Sequence, residues 1–183
     1  MATHAGFLVR TARVEDVAVI ERLITQSVRE LSAGFYDHAQ IESALRYMFG
    51  VDTQLIDDGT YYVIEGEGAF AAAGGWSRRR TLFGGDRWKH GADDALDPMH
   101  EPARIRAFFV HPAWSRRGLG RLLFDTCCRD AHAAGFRQLE LMATLPGEPL
   151  YRALGFAVNE RVELDLPDGV RVPLVRMSRP IQG

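Results

Sequence analysis

Ser115-Arg116-Arg117-Gly118-Leu119-Gly120-Arg121 is the stretch on which the reading of this chain turns. Ahead of it runs a short apolar segment, Ile105 to Val110, stopped by Pro112 and expected to be a strand. Behind it Leu119, Leu122, Leu123, Cys127 and Ala131 recur at helical spacing, with Arg121, Asp125, Arg129 and Asp130 largely on other faces. Gly135 stands where a left-handed cap ends such a helix, and Phe136 begins the return to a sheet. A helix start offers free backbone N–H groups and the positive end of the helix dipole, and glycine lets backbone approach closely. Strand, glycine turn and helix in that order predict a cradle for phosphate. The spacing lacks the third glycine of a dinucleotide fingerprint and the Gly-Lys-Ser/Thr of a Walker loop, so both of those nucleotide folds are set aside.

Working outward, Phe7 to Arg10 reads as a first strand. Val17, Ile20, Leu23, Ile24, Val28 and Leu31 then form a helical stripe, with Glu15 and Asp16 at its start. Asp37 and Gln40 have the spacing of a capping box ahead of Ile41, Ala44, Leu45 and Met48, which predicts a second helix ending near Gly50. Tyr61 to Ile64 and Phe70 to Trp76 read as strands around a Glu65-Gly66-Glu67-Gly68 turn. Residues 78–102 turn to glycine, charge and proline, a long loop of the kind that usually serves function or movement. Strands are expected again at Gln138 to Ala143, Phe156 to Leu166 and Val170 to Met177. A short helix falls at Pro149 to Leu154, and the last two strands meet at Pro167-Asp168-Gly169. The order points to a mixed α+β sheet.

A length of 183 residues predicts one domain, 1–183, with a substantial core. The net charge of −2 gives no general pull toward nucleic acid or an anionic membrane. No apolar run is long enough for a membrane span and no signal-peptide pattern follows Met1. Cys127 and Cys128 are adjacent on a helix, a poor geometry for bridging each other, and are expected as free thiols in a reducing cytoplasm.

Two segments resemble the GCN5-related N-acetyltransferase (GNAT) superfamily. Phe108-Phe109-Val110-His111-Pro112 followed by Arg116-Arg117-Gly118-Leu119-Gly120-Arg121 is similar to that family's acetyl-CoA pyrophosphate loop. Leu139 to Ala143 followed by Tyr151-Arg152-Ala153-Leu154-Gly155-Phe156 is similar to its tyrosine-bearing fourth helix and the Gly-Phe opening the next strand. Two departures are visible: Ser115 stands where the loop often starts with Gln or Arg, and Thr144-Leu145-Pro146-Gly147 replaces a common Asn before the tyrosine helix.

The resemblance implies a bent, mostly antiparallel mixed sheet of about seven strands flanked by about four helices. That sheet would splay open between its fourth and fifth strands. Acetyl-CoA, as cosubstrate and without a metal, would lay its pantetheine arm in the gap. Phe108, Phe109 and Val110 would offer it backbone groups, one N–H polarising the thioester carbonyl. Arg116, Arg117, Gly118, Leu119, Gly120 and Arg121 would hold the pyrophosphate. Tyr151 would hydrogen-bond or protonate the departing sulfur, since a thiol and a phenol titrate at about 8.5 and 10. The implied activity is an N-acetyltransferase (an acyltransferase) moving an acetyl group to a primary amine of a small molecule or an exposed protein amine in a ternary complex. No nucleic acid or membrane partner is expected, and the superfamily's habit makes a homodimer an option. The alternative is a non-catalytic acetyl-CoA sensor or regulatory module.

No general base is assigned by sequence. Glu140 is expected as a solvated strand carboxylate; Glu65, Glu67, His111 and the group Asp93, Asp94, Asp97, His100 and Glu101 are the other candidates. Trp76 is expected to end a strand facing the acceptor cleft, and the 78–102 loop to close over that cleft. Arg78, Arg79 and Arg80 read as solvated bases or as partners of the 3′-phosphate or a nucleic acid. His90 and His100 with the nearby aspartates match no metal-ligand spacing.

Overall fold

In the computed structural model, which describes residues 2–4, 6–91 and 93–181, the chain runs β1 (Ala2–His4), β2 (Phe7–Thr11), α1 (Val17–Leu31), α2 (His38–Tyr47), α3 (Thr53–Asp57), β3 (Tyr61–Gly66), β4 (Ala69–Ser77), β5 (Ala103–Val110), α4 (Leu119–Ala133), β6 (Gln138–Thr144), α5 (Glu148–Ala153), β7 (Ala157–Asp165) and β8 (Arg171–Pro180). The strands form one sheet in the order β1-β2-β3-β4-β5-β6-β8-β7. Every pairing is antiparallel except β5 with β6, which α4 connects as a crossover. None of the helices is long and apolar enough to cross a membrane, among the described residues.

The α+β mixed sheet expected from sequence is present, with two additions. β1 is an edge strand beside β2, and α3 is a five-residue turn started by Asp52, whose carboxylate accepts from the Gln54 N–H at 3.2 Å. Five residues are too few for a periodic apolar stripe, so α3 left no sequence signal. The predicted capping box of α2 is formed in full: Gln40 N–H donates to Asp37 at 2.8 Å, and Asp37 N–H to the Gln40 side chain at 3.0 Å. Such a box satisfies two otherwise orphaned donors and contributes about 1 kcal/mol.

The sheet has a core on each face. Strand alternation does the sorting: Tyr62 and Ile64 of β3 join Leu123, Cys127 and Phe136 under α4, while Tyr61 and Val63 join Ile20, Leu23 and Ile24 under α1. Phe108 and Phe109 divide in the same way, Phe108 packing beside Tyr151 and Phe109 edge-on to Phe49. Whatever opens between β5 and β6 therefore connects two separate apolar layers.

Candidate active site

β5 and β6 pair at two positions only, Ala103 with Leu139 and Arg104 with Glu140. Beyond that vertex they diverge. β6 stays zipped to β8 over its whole length, Gln138 opposite Pro180 through Thr144 opposite Leu174. β5 stays on β4, and from Ile105 onward it has no partner strand on the β6 side. The ladder between β4 and β5 slips by one residue here, so Ala107 and Phe108 together stand opposite Gly74. Ala107 takes φ +54°, a left-handed backbone costing about 1–2 kcal/mol in an L-residue. Its carbonyl accepts a hydrogen bond from the buried Tyr61 hydroxyl at 3.3 Å, which helps hold the bulge.

At the far end of the gap α4 begins. Gly118 has φ +81° and serves as the helix N-cap, its carbonyl accepting from the Leu122 N–H at 3.0 Å. Among the described residues, no acceptor meets the N–H groups of residues 116 to 121. Those donors sit at the positive end of a 15-residue helix, with Arg116, Arg117 and Arg121 exposed around them. A Cβ on Gly120 would stand 2.7 Å from the Leu150 side chain, so this position has room for a glycine without rearrangement. The donor set fits a diphosphate. The Leu119 side chain is buried in the core, leaving only its backbone to the cradle.

Between vertex and cradle lies a cavity of about 230 Å³ that reaches both faces of the sheet. Its walls include Phe108 to Val110 of β5, Met142 to Thr144 of β6, and Tyr151 of α5. Tyr151 is 8% exposed and packs against Phe108 and Phe156. Its hydroxyl has no hydrogen-bond partner among the described residues. Burial, with a smaller push from Cys127, raises its pKa above the ordinary phenol value, so it stays protonated at neutral pH.

A family model described as an acetyltransferase (GNAT) domain matches residues 57–158, from α3 through the start of β7. The chain belongs to the GNAT family. Solved structures with this fold include a GCN5-related N-acetyltransferase from Rhodopseudomonas palustris, 17% identical over 98% of this chain and 99% of that one, TM-score 0.71. A putative acetyltransferase from Salmonella typhimurium, solved with its cofactor acetyl-CoA, is 18% identical over 97% and 95%, TM-score 0.64. PaiA N-acetyltransferase from Thermoplasma acidophilum, in complex with coenzyme A, is 12% identical over 95% and 98%, TM-score 0.63. At these identities the likeness concerns the fold. No curated protein matches the sequence.

Several expectations for this GNAT chain are corrected by the coordinates. Glu140 is not solvated: it is 7% exposed, with Arg104 on one carboxylate oxygen and Arg176 Nε at 2.6 Å from the other. It clips the vertex of the gap. Trp76 does not face the cleft; it is buried edge-on against Phe136 in the α4-side core. The segment after β4 does reach the cleft, with Leu82 to Gly85 in the cavity wall, and it is held there as a strap by specific bonds. Arg79 grips Asp58 through two bonds of 2.7 Å, Arg80 pairs with Glu101 at 2.8 Å, and Arg78 reaches the Asp58 carbonyl at 3.4 Å. Gly85 and Asp86 N–H donate to the Met48 and Val51 carbonyls. Loop composition concealed these pairings because they join residues far apart in sequence.

The other base candidates lie outside the cavity lining. Glu65 pairs with Arg10, and His111 caps the short turn Pro112–Trp114 by accepting from the Ala113 N–H at 3.1 Å. Glu67 sits exposed in the β3–β4 turn and Asp94 is exposed on the strap. Asp93 bonds the Thr81 N–H at 2.8 Å, and Glu101 is tied to Arg80. His100 lies 2.6 Å from Asp97 on an exposed turn, its pKa raised by that bond and charge. No group of three His, Cys, Asp or Glu is placed to hold a metal, among the described residues.

Sequence reading missed Arg106. This β5 guanidinium is 2% exposed and reaches the cavity wall, bonded to Asp52 at 2.8 Å and to the Thr81 and Gly84 carbonyls. Asp52, fully buried, also receives Lys89. An arginine between Ile105 and Ala107 in an apolar strand was the available signal, since a buried charge requires a partner. The cavity residues of α1 and of 82–85 carried no signal, because only the tertiary fold brings them to the gap.

Proposed function

We propose that this chain transfers an acetyl group from acetyl-CoA to a primary amine by direct attack within a ternary complex. The observation that carries this reading is the gap itself: two strands that part after two pairs, with unpaired amides at one end and a protonated tyrosine in its wall. The pyrophosphate would rest on the N–H groups of residues 116–121, helped by Arg116, Arg117 and Arg121. The pantetheine arm would pass along the free edge of Phe108 to Val110 as an added strand, in place of the missing β-partner. The Salmonella and Thermoplasma neighbours, solved with acetyl-CoA and coenzyme A, support that placement by likeness of fold.

The chemistry follows from the groups present. Attack by nitrogen builds negative charge on the thioester oxygen, which a backbone N–H of Phe108 to Val110 would stabilise. As the C–S bond breaks, the sulfur needs a proton. Tyr151 would supply it or hold it in a hydrogen bond, since its hydroxyl has no competing protein partner.

A second reading, a non-catalytic acetyl-CoA sensor, draws on one observation: no carboxylate or imidazole lines the cavity among the described residues. Two measurements on the purified chain separate the readings. Titration calorimetry with acetyl-CoA tests the cradle, and thiol release with a panel of amines tests transfer. Binding with turnover supports the transferase; binding with no turnover on any amine supports the sensor; no binding refutes both.

A further inference from the structure

The half of the cavity opposite Tyr151 has an electrostatic character of its own. With the phosphate cradle and Tyr151 on the α4–α5 side, an acceptor must come from the α1 side. There the wall is Val28, Leu31, Phe49, Leu82 and Phe83, with the buried Ser27 and Ser32 as its polar side chains. Among the described residues, the ionisable side chains lining the cavity are Arg106 and Tyr151. Arg106 is committed to Asp52, and Asp52 is shared with Lys89, so that carboxylate is already matched by two cations. Lys89 also has Asp93 at 3.8 Å. Glu21, whose carboxylate stands near Gly50, is taken by Arg87 at 2.8 Å and by the Val51 N–H at 2.8 Å. Among the described residues, no side chain in this wall offers an ammonium ion a counter-charge or takes a proton from it.

We infer that the acceptor is an aromatic amine, an apolar molecule whose nitrogen is uncharged at neutral pH. The inference rests on the acetyltransferase reading and names its substrate class. An alkyl amine titrates at about 10.4, so roughly 1 molecule in 2,500 is neutral at pH 7. Its charged majority would have to leave water for an apolar wall without a partner, which is strongly unfavourable. An aromatic amine meets neither obstacle, and its ring matches the Phe49 and Phe83 surfaces.

The proton count agrees. With a neutral amine the N–C bond forms, the C–S bond breaks, nitrogen loses one proton and sulfur gains one. Tyr151 gives its proton to the sulfur, and the proton shed by nitrogen returns through water to the Tyr151 oxygen, so that one group balances the exchange. An alkylammonium must lose two protons, and the first has no acceptor in this cavity.

The test is thiol release from acetyl-CoA by the full chain with aniline and benzylamine, from pH 6.5 to 8.5. At pH 7 the kcat/KM for aniline should exceed that for benzylamine by at least about tenfold and stay flat with pH. That for benzylamine should climb about tenfold per pH unit, following its neutral fraction. Preference for benzylamine at pH 7 with a flat profile overturns the inference and leaves the transferase reading intact. Silence on every amine, with acetyl-CoA still bound by calorimetry, defeats the transferase reading and this inference with it. Leu82→Glu adds a second arm by placing a carboxylate in the acceptor wall. With acetyl-CoA affinity preserved, it should move the aniline-to-benzylamine ratio toward benzylamine by about tenfold, one to two kcal/mol of new attraction. An unchanged ratio in that folded variant counts against the inference.

Discussion

Glu140→Gln distinguishes a catalytic carboxylate from a structural one. The position lies on β6 beside the gap, where a base would be looked for, yet both carboxylate oxygens are taken by arginines. The substitution keeps the shape and removes the charge. Arg104, with 12% of its side chain exposed, would then be left in the vertex without its counter-ion, and its Nε already has no acceptor. Removing one partner of a fully buried pair costs about 3–5 kcal/mol. Arg176 is 43% exposed and regains water, so the expected loss is about 2–4 kcal/mol. In a protein of this size each kcal/mol shifts Tm by about 2–4 °C, giving a fall of about 5–15 °C. Thermal and urea unfolding read the stability, and thiol release read per folded molecule gives the rate. The structure requires lower stability with turnover retained. Unaltered Tm together with a rate loss of 100-fold or more, the size expected for a lost general base, would refute the assignment of Glu140 as a clip.

Tyr151→Phe should lower kcat by about 100-fold while leaving acetyl-CoA affinity and Tm unchanged, because the hydroxyl has no protein partner to lose; calorimetry beside steady-state kinetics reads both. In the wild type, burial holds that phenol above its ordinary value of 10, so kcat should show no decline from its ionisation between pH 6 and 9. Gly120→Glu should abolish acetyl-CoA binding in calorimetry, since it pushes bulk toward Leu150 and sets a carboxylate among the phosphate donors; undiminished binding would remove the cradle assignment. Arg79 holds the Asp58 carboxyl below its ordinary 3.8 in the folded state. That contribution is complete above the unfolded value and is lost as pH falls through the lower folded one. Asp58→Asn should therefore speed hydrogen exchange in the 78–96 strap at pH 7 and flatten the acid dependence of stability below pH 4.

The legible parts of this chain were those written in local spacing. The α1 stripe, the Asp37–Gln40 capping box, the glycine turn before α4 and the Gly135 cap depend on residues within a turn or two of each other, and the coordinates keep all four. Arg106, Glu140 and Trp76 were read poorly or missed. Each is decided by a partner 30 or more residues away: Arg106 by Asp52, Glu140 by Arg104 and Arg176, Trp76 by Phe136. The strap was recognised as a loop, but its anchoring was not, because Asp58 pairs with Arg79 only once β3 and β4 have folded back on each other.

By itself the sequence determined most of the elements and the glycine turn that opens α4, since helix starts, glycine turns and alternating strands are set by short-range backbone geometry. Tertiary structure alone decided the gap and what lines it. A strand's two edges are filled or left open according to where its neighbours lie, and β5 loses its second partner because β6 is drawn away along β8. The apolar half of the cavity likewise depends on α1 and residues 82–85 meeting β5, a long-range packing choice that no local pattern encodes.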